Sequence, residues 1–134
     1  MITVDLKDVP VLWISMQNSH RKKTMMKKMF SSFGFKKVKR IEAINAKKHN
    51  LSHHVALIKS YQRAFQHAPK DNFIILEDDC VPRRIATKIK IPTDTDCFYL
   101  GLSKFGVGDS GGGEWGTYSV EKENELYRIK NMLA

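Results

Sequence analysis

Val9-Pro10-Val11-Leu12-Trp13-Ile14-Ser15 is a continuous apolar run, too short for a helix and rich in strand formers. A run without polar alternation is buried on both faces, the condition of a strand inside a parallel sheet that helices cover on either side. Ser19 fits an N-cap, and the pattern beyond it predicts a helix to about Phe33 with Gly34 as its stop. Met26, Met29, Phe30 and Phe33 fall at i, i+3, i+4 and i+7, so they share the face that packs on the core. Arg21, Lys23, Lys27 and Lys28 remain toward water.

Working outward, Lys37 to Ile44 predicts a second, more peripheral strand, and Asn45 to Leu51 a polar connection. Ser52 is the next N-cap, opening a helix to about Ala68 with Leu57, Ile58, Tyr61, Ala64, Phe65 and Ala68 on one face. Pro69-Lys70-Asp71 breaks it, and Asn72 to Leu76 forms a third short apolar strand. A basic segment with Pro82 and Pro92 follows, then Cys97-Phe98-Tyr99-Leu100 as a fourth strand. Tyr118 to Val120 and Leu126 to Ile129 flank Glu121 to Glu125 as a final hairpin. The order β-α-β-α-β, then a further strand, predicts an α/β domain with a mostly parallel sheet, residues 1–134 forming one domain.

With 134 residues and 42% hydrophobic composition, the chain is long enough to bury a core without disulfides or metal staples. No apolar run reaches the length of a membrane span, and the first residues lack the pattern of a signal peptide. Cys80 and Cys97 stand at neither metal-ligand nor redox-motif spacing, which predicts a reduced, cytoplasmic protein. Cys80 is expected to be a buried, inert thiol.

Charge is unevenly placed: residues 1–70 hold 15 basic and 3 acidic side chains, residues 71–134 hold 8 and 11. Between Arg21 and Lys48 stand eleven basic residues and one acid, Glu42. Such a half attracts polyanions or phosphorylated small molecules, unless it is only a solvated face. Gly106 to Gly116 holds six of the eight glycines but no Lys-Ser/Thr ending of a phosphate loop, so it is a mobile loop or, with Trp115 inside it, a lid over a ligand.

The chemistry concentrates in Ile74-Ile75-Leu76-Glu77-Asp78-Asp79. Three successive carboxylates at the end of a buried strand repel one another unless something compensates them. Ligands of open α/β sheets bind outside such strand ends, and oxygen-rich clusters suit Mg2+ or Mn2+ that bridge phosphate oxygens. The plainer alternative is an acidic turn paired with Lys and Arg.

Four other stretches join this block in an ordered set: Val11-Leu12-Trp13-Ile14 with Asn18-Ser19-His20-Arg21, then Arg40-Ile41-Glu42-Ala43-Ile44-Asn45, then Leu51-Ser52-His53-His54, and, after the acidic block, Asp96 to Gly101. In order and spacing the set resembles glycosyltransferase family 25, which includes lipooligosaccharide and collagen galactosyltransferases and virus-encoded relatives. The resemblance covers roughly residues 9–101. It implies a GT-A type Rossmann-like fold, a nucleotide-sugar donor such as a UDP-sugar, a glycan or glycoprotein acceptor, and Mn2+ or Mg2+. For a virus- or phage-encoded member it implies the host cytoplasm. Lys47-Lys48-His49-Asn50 stands where the family has a small or Cys-containing stretch. Family members also continue past this length, so the C-terminal, acceptor-shaping part is expected to be short or missing.

The resemblance assigns Asp79 to direct metal ligation, with Glu77 at the first position of the triplet touching ribose, metal or metal-bound water. It gives Asp78, Arg21 and Asn45 to donor contact, with Ser52 and His53 either donor-site residues or simply a helix cap and a helix start. His20, His49, His54 and His67 form no metal set and are expected at the surface. Inverting transfer needs a base for the acceptor hydroxyl; no spacing selects one, and Asp109 and Glu114 of the glycine-rich stretch are the candidates. Two alternatives stand beside a transferase: a shortened member that binds donor with little transfer, and a basic nucleic-acid-binding domain. The second is disfavoured because few aromatics interleave the basic residues for base stacking. A homodimer through the C-terminal segment is also expected, because Tyr127 to Lys130 would otherwise leave a strand edge unpaired and Met132 and Leu133 uncovered.

Overall fold

A computed structural model of the chain describes residues 1–16, 20–78, 80, 87–98, 120–123 and 126–129, the last two segments by their backbone alone. The chain divides into two compact units, Met1–Thr93 and Asp94–Ala134. The first contains β1 (Ile2–Asp5), β2 (Val11–Ser15), α1 (His20–Phe33), β3 (Val38–Glu42), α2 (His53–Gln66), β4 (Ile74–Glu77) and β5 (Lys88–Ile91).

The expected parallel sheet is present, with β2 in the middle of the order β3-β2-β4. Val11 pairs with Val38 on one side and Ile74 on the other, and both pairings run parallel as far as Ser15↔Glu42 and Ile14↔Glu77. All five residues of β2 are buried, as its unbroken apolar sequence requires.

Alternation along β2 and β4 divides the core between two faces. Val11, Trp13 and Ile74 pack with Met26 and Phe30 of α1. Leu12 and Ile14 pack with Ile41 and with Ala64 of α2, and Ile75 joins them. The two crossover helices therefore cover opposite faces. On the α1 side, Trp13 and Phe30 meet at 5.8 Å between ring centroids, and Phe35 approaches Phe30 edge-on at 6.0 Å. Gly34 ends α1 with φ +72°, a left-handed conformation that strains side-chain-bearing residues, and its N–H returns to the Phe30 carbonyl.

Three sequence expectations are corrected. Of the six residues expected on the inward face of α2, Tyr61, Ala64 and Ala68 pack on the core, whereas Leu57, Ile58 and Phe65 are exposed and Ala56 and Ser60 are buried instead. Small residues let the helix approach closely, and Ser60 makes its burial affordable by accepting from the Ile44 N–H at 2.9 Å and donating to the Ala56 carbonyl at 2.7 Å. Cys97 and Phe98 lie outside any strand, while Tyr99 and Leu100 fall outside the described residues. Cys80 is exposed rather than buried; like Cys97 it is in no disulfide.

A second pairing joins the two ends of the first unit: β1 lies antiparallel to β5, with Ile2↔Ile91 and Asp5↔Lys88. The Lys-Ile-Lys-Ile alternation of β5, with both isoleucines half-buried, is the pattern of a strand covered on one face. In the second unit the hairpin is present as β6 (Val120–Glu123) against β7 (Leu126–Ile129), so its first strand reaches further into the acidic stretch than expected and its second has the expected bounds. Ser19, the glycine-rich stretch and residues 130–134 lie outside the described residues. Among the described residues no helix is long and apolar enough to cross a membrane.

Candidate functional site

The C-terminal ends of β2, β3 and β4 form one rim, because the parallel register places Ser15 beside Glu42 and Ile14 beside Glu77. Carbonyls on this rim are taken up by side chains of the chain itself. Arg40 donates from one terminal nitrogen to the Ser15 carbonyl at 3.0 Å, and Arg63 of α2 donates to the Glu42 carbonyl at 3.0 Å. Ser15, buried, donates its hydroxyl to the Met16 carbonyl at 3.3 Å.

Glu77 and Asp78 leave β4 in opposite directions. Glu77 has the parity of Ile75 and faces α2, where the Tyr61 hydroxyl donates to its Oε1 at 2.7 Å. Asp78 follows on the α1 side, where Lys22 Nζ stands 3.1 Å from its Oδ1. The Asp78 side chain is 13% exposed, against 51% for that of Lys22. Successive like charges are thus separated across the strand and each is held by the helix on its own side. The ion pair is worth little in stability because the lysine is open to water, but it orients the carboxylate. The Cys80 N–H turns back to the Glu77 carbonyl at 3.3 Å, which closes the turn after the strand. Asp79 lies outside the described residues.

The other expected site residues are placed as follows. Arg21 is exposed in the first turn of α1. Asn45 is half-buried, and its Oδ1 accepts from the Lys48 N–H at 3.0 Å, fixing the turn before α2. Ser52 is the N-cap of α2: its backbone is extended and its Oγ accepts from the Val55 N–H at 3.3 Å. His53 opens the helix and is exposed, as are His20, His49, His54 and His67. Among the described residues, neither Glu77 nor Asp78 is joined to Arg21, Asn45, Ser52 or His53; their partners are Tyr61 and Lys22. Asp109 and Glu114 lie outside the described residues.

Tyr61, Lys22 and Arg40 are the site residues that sequence reasoning passes over. Tyr61 counts as one more apolar position in a helical stripe, yet a hydroxyl-bearing ring facing an acidic strand end is the signal that distinguishes it. Carboxylates are the ligand type a hard divalent cation takes, but Glu77 and Asp78 are held on opposite faces of the sheet, by Tyr61 and by Lys22, and do not converge on one point. Each described carboxylate commits one oxygen to an orienting partner and keeps a second, and Mg2+ or Mn2+ is commonly held by one or two carboxylates together with water and substrate phosphates. Among the described residues no group of three or more His, Cys, Asp or Glu converges on one point, so such a cation would rely on those other ligands. No family model, no curated protein and no solved structure matches this chain.

Proposed function

We propose that this chain is a metal-dependent glycosyltransferase of the GT-A type, moving a sugar from a nucleotide sugar, a UDP-sugar by the family resemblance, to a glycan or glycoprotein acceptor. The observation that carries the proposal is the pair Glu77 and Asp78. They stand at the C-terminal end of β4, next to the central strand, each oriented by the helix on its own face. In open α/β sheets that is where ligands bind.

Asp79, with Glu77 before it, would hold Mn2+ or Mg2+, and Asp78 would face the donor. The ion would supply positive charge to the leaving diphosphate. The chain's own residues do the rest. Tyr61 fixes the Glu77 carboxylate through one oxygen, and Lys22 keeps Asp78 in place while adding positive charge beside the donor phosphates. Arg21, His53 and Asn45 stand on the segments that follow β2 and β3 toward the same rim, where they would contact the nucleotide.

The test is a panel of nucleotide sugars screened for Mn2+-dependent thermal stabilisation and for hydrolysis, since a ligand that binds only the native state raises Tm by mass action. One nucleotide sugar raising Tm with Mn2+ and losing the effect with chelator is the expected result. A panel in which none shifts Tm, or in which chelator changes nothing, overturns the proposal.

A further inference from the structure

A second basin lies between α1 and β3, on the side of β2 opposite β4. It is a groove of about 530 Å³ lined by Trp13, Lys23, Lys27, Phe30, Val38 and Arg40. Its size falls within the range of small-molecule sites. Lys23 and Lys27 stand at i and i+4 on α1, so both reach the same side of the helix. Arg40 comes from across the groove, on β3, paired in register with Trp13.

Arg40 is the telling residue. Its guanidinium carbon lies 6.0 Å from the centroid of the Trp13 ring, and a terminal nitrogen is anchored on the Ser15 carbonyl. That anchoring fixes the plane of the fork. Its Nε is buried and has no hydrogen-bond partner among the described residues. A buried guanidinium donor without an acceptor is unusual, and it sits in the wall of a groove that two lysines also line. Among the described residues no acidic side chain lines the groove. The remaining wall, Phe30, Val38 and Trp13, is apolar.

We propose that this groove binds a small phosphorylated molecule, its phosphoryl oxygens held by Arg40 with Lys23 and Lys27 and its organic body set against the apolar wall. A planar fork favours a tetrahedral oxyanion over a lone halide, because two parallel N–H donors match two oxygens. The site uses neither the carboxylates of β4 nor a metal, so it stands or falls separately from the transferase proposal.

The experiment titrates the full chain carrying Trp115→Phe, in which Trp13 is the only tryptophan, with phenyl phosphate in excess chelator while tryptophan fluorescence is followed. The expected result is a saturable change, with inorganic phosphate binding more weakly. Adding Lys27→Ala weakens binding by about five-fold or more, the scale of one partly exposed charge contact. Lys59→Ala, which removes the same charge from an exposed position on α2, leaves binding unchanged. The proposal is overturned if fluorescence does not saturate, if Lys59→Ala weakens binding as much as Lys27→Ala, or if inorganic phosphate binds as well as the ester. It is likewise overturned if single-stranded RNA displaces phenyl phosphate at far lower concentration with a steep salt dependence, since that is the behaviour of a polyanion surface.

Discussion

Tyr61 donates its hydroxyl to Glu77 Oε1 at 2.7 Å, which ties α2 to the last residue of β4. Both residues are half-buried, so the bond is shielded from water while the carboxylate still reaches the rim. Tyr61→Phe keeps the ring and removes the donor. Hydrogen bonds to charged groups are worth about 1.5–3 kcal/mol, and partial exposure places this one at the lower end. Urea denaturation should show a lower midpoint with an unchanged m-value. A variant as stable as the wild type would mean that the bond does not persist in solution.

The inward face of α2 gives a second prediction. Ala64 is fully buried, with 0% exposure, whereas Ile58 is 57% exposed. Ala64→Leu forces three extra carbons between helix and sheet and should cost about 1–3 kcal/mol. Ile58→Lys should stay within about 0.5 kcal/mol of wild type. Thermal melts of the two variants decide between this face and the more hydrophobic one: if Ile58→Lys is the damaging change, the helix is turned the other way.

This helix also marks where the sequence stops being legible. β2, α1 and β4 are readable because each packs by one dominant rule, either an unbroken apolar run or a single stripe, and Gly34 punctuates where a left-handed residue is needed. In α2 the larger apolar residues point outward, and the packing face is made of two alanines and a serine whose hydroxyl is satisfied by Ile44 and Ala56. Hydrophobic periodicity weighs side-chain size, so it reads the inward face as rotated toward Leu57, Ile58 and Phe65 while still including Tyr61, Ala64 and Ala68, which do pack. The β1–β5 pairing escapes for another reason: each strand is four residues long, and they meet across more than eighty positions of chain. At the site, the acidic strand end is plain in the sequence. Its partners Tyr61 and Lys22 are not, because they come from two helices that only the alternation of β4 brings to it.

Asp8 and Lys36 form an exposed ion pair between the turn after β1 and the segment after α1. The hydrogen bond and the charge of Lys36 hold the Asp8 carboxyl below its usual value of 3.8, and Asp8 raises the Lys36 ammonium above 10.5. The lowered acid contributes stability that is present above pH 3.8 and is lost as pH falls through its folded value. The raised base contributes below pH 10.5 and is lost as pH rises through its folded value. Asp8→Asn should therefore remove a small stabilisation across the neutral range and flatten the fall in Tm on acidification below about pH 4. Because the pair is open to solvent, added salt should shrink the difference from wild type. Tm against pH at low and high salt is the measurement, and parallel curves for the two proteins in acid would remove this pair from the acid transition.

The last prediction separates metal chemistry from an acidic turn. On the proposed reading Asp79 ligates the cation directly, so Asp79→Asn keeps the size of the side chain and removes one negative ligand. Metal-dependent UDP binding should weaken by about ten-fold or more, since one charge-assisted contact is worth on the order of 1.4 kcal/mol or above. Fold stability should barely fall, because Glu77 and Asp78 retain their contacts to Tyr61 and Lys22, and without metal it should rise slightly as one of three successive like charges disappears. Asp109→Asn should leave UDP binding intact even where it slows transfer, because a base for the acceptor hydroxyl need not touch the diphosphate. Calorimetric titration of UDP in the presence of Mn2+ into wild type and both variants gives the answer. Equal affinity in wild type and Asp79→Asn would take the acidic triplet out of the mechanism and leave its carboxylates as a strand end balanced by a tyrosine and a lysine.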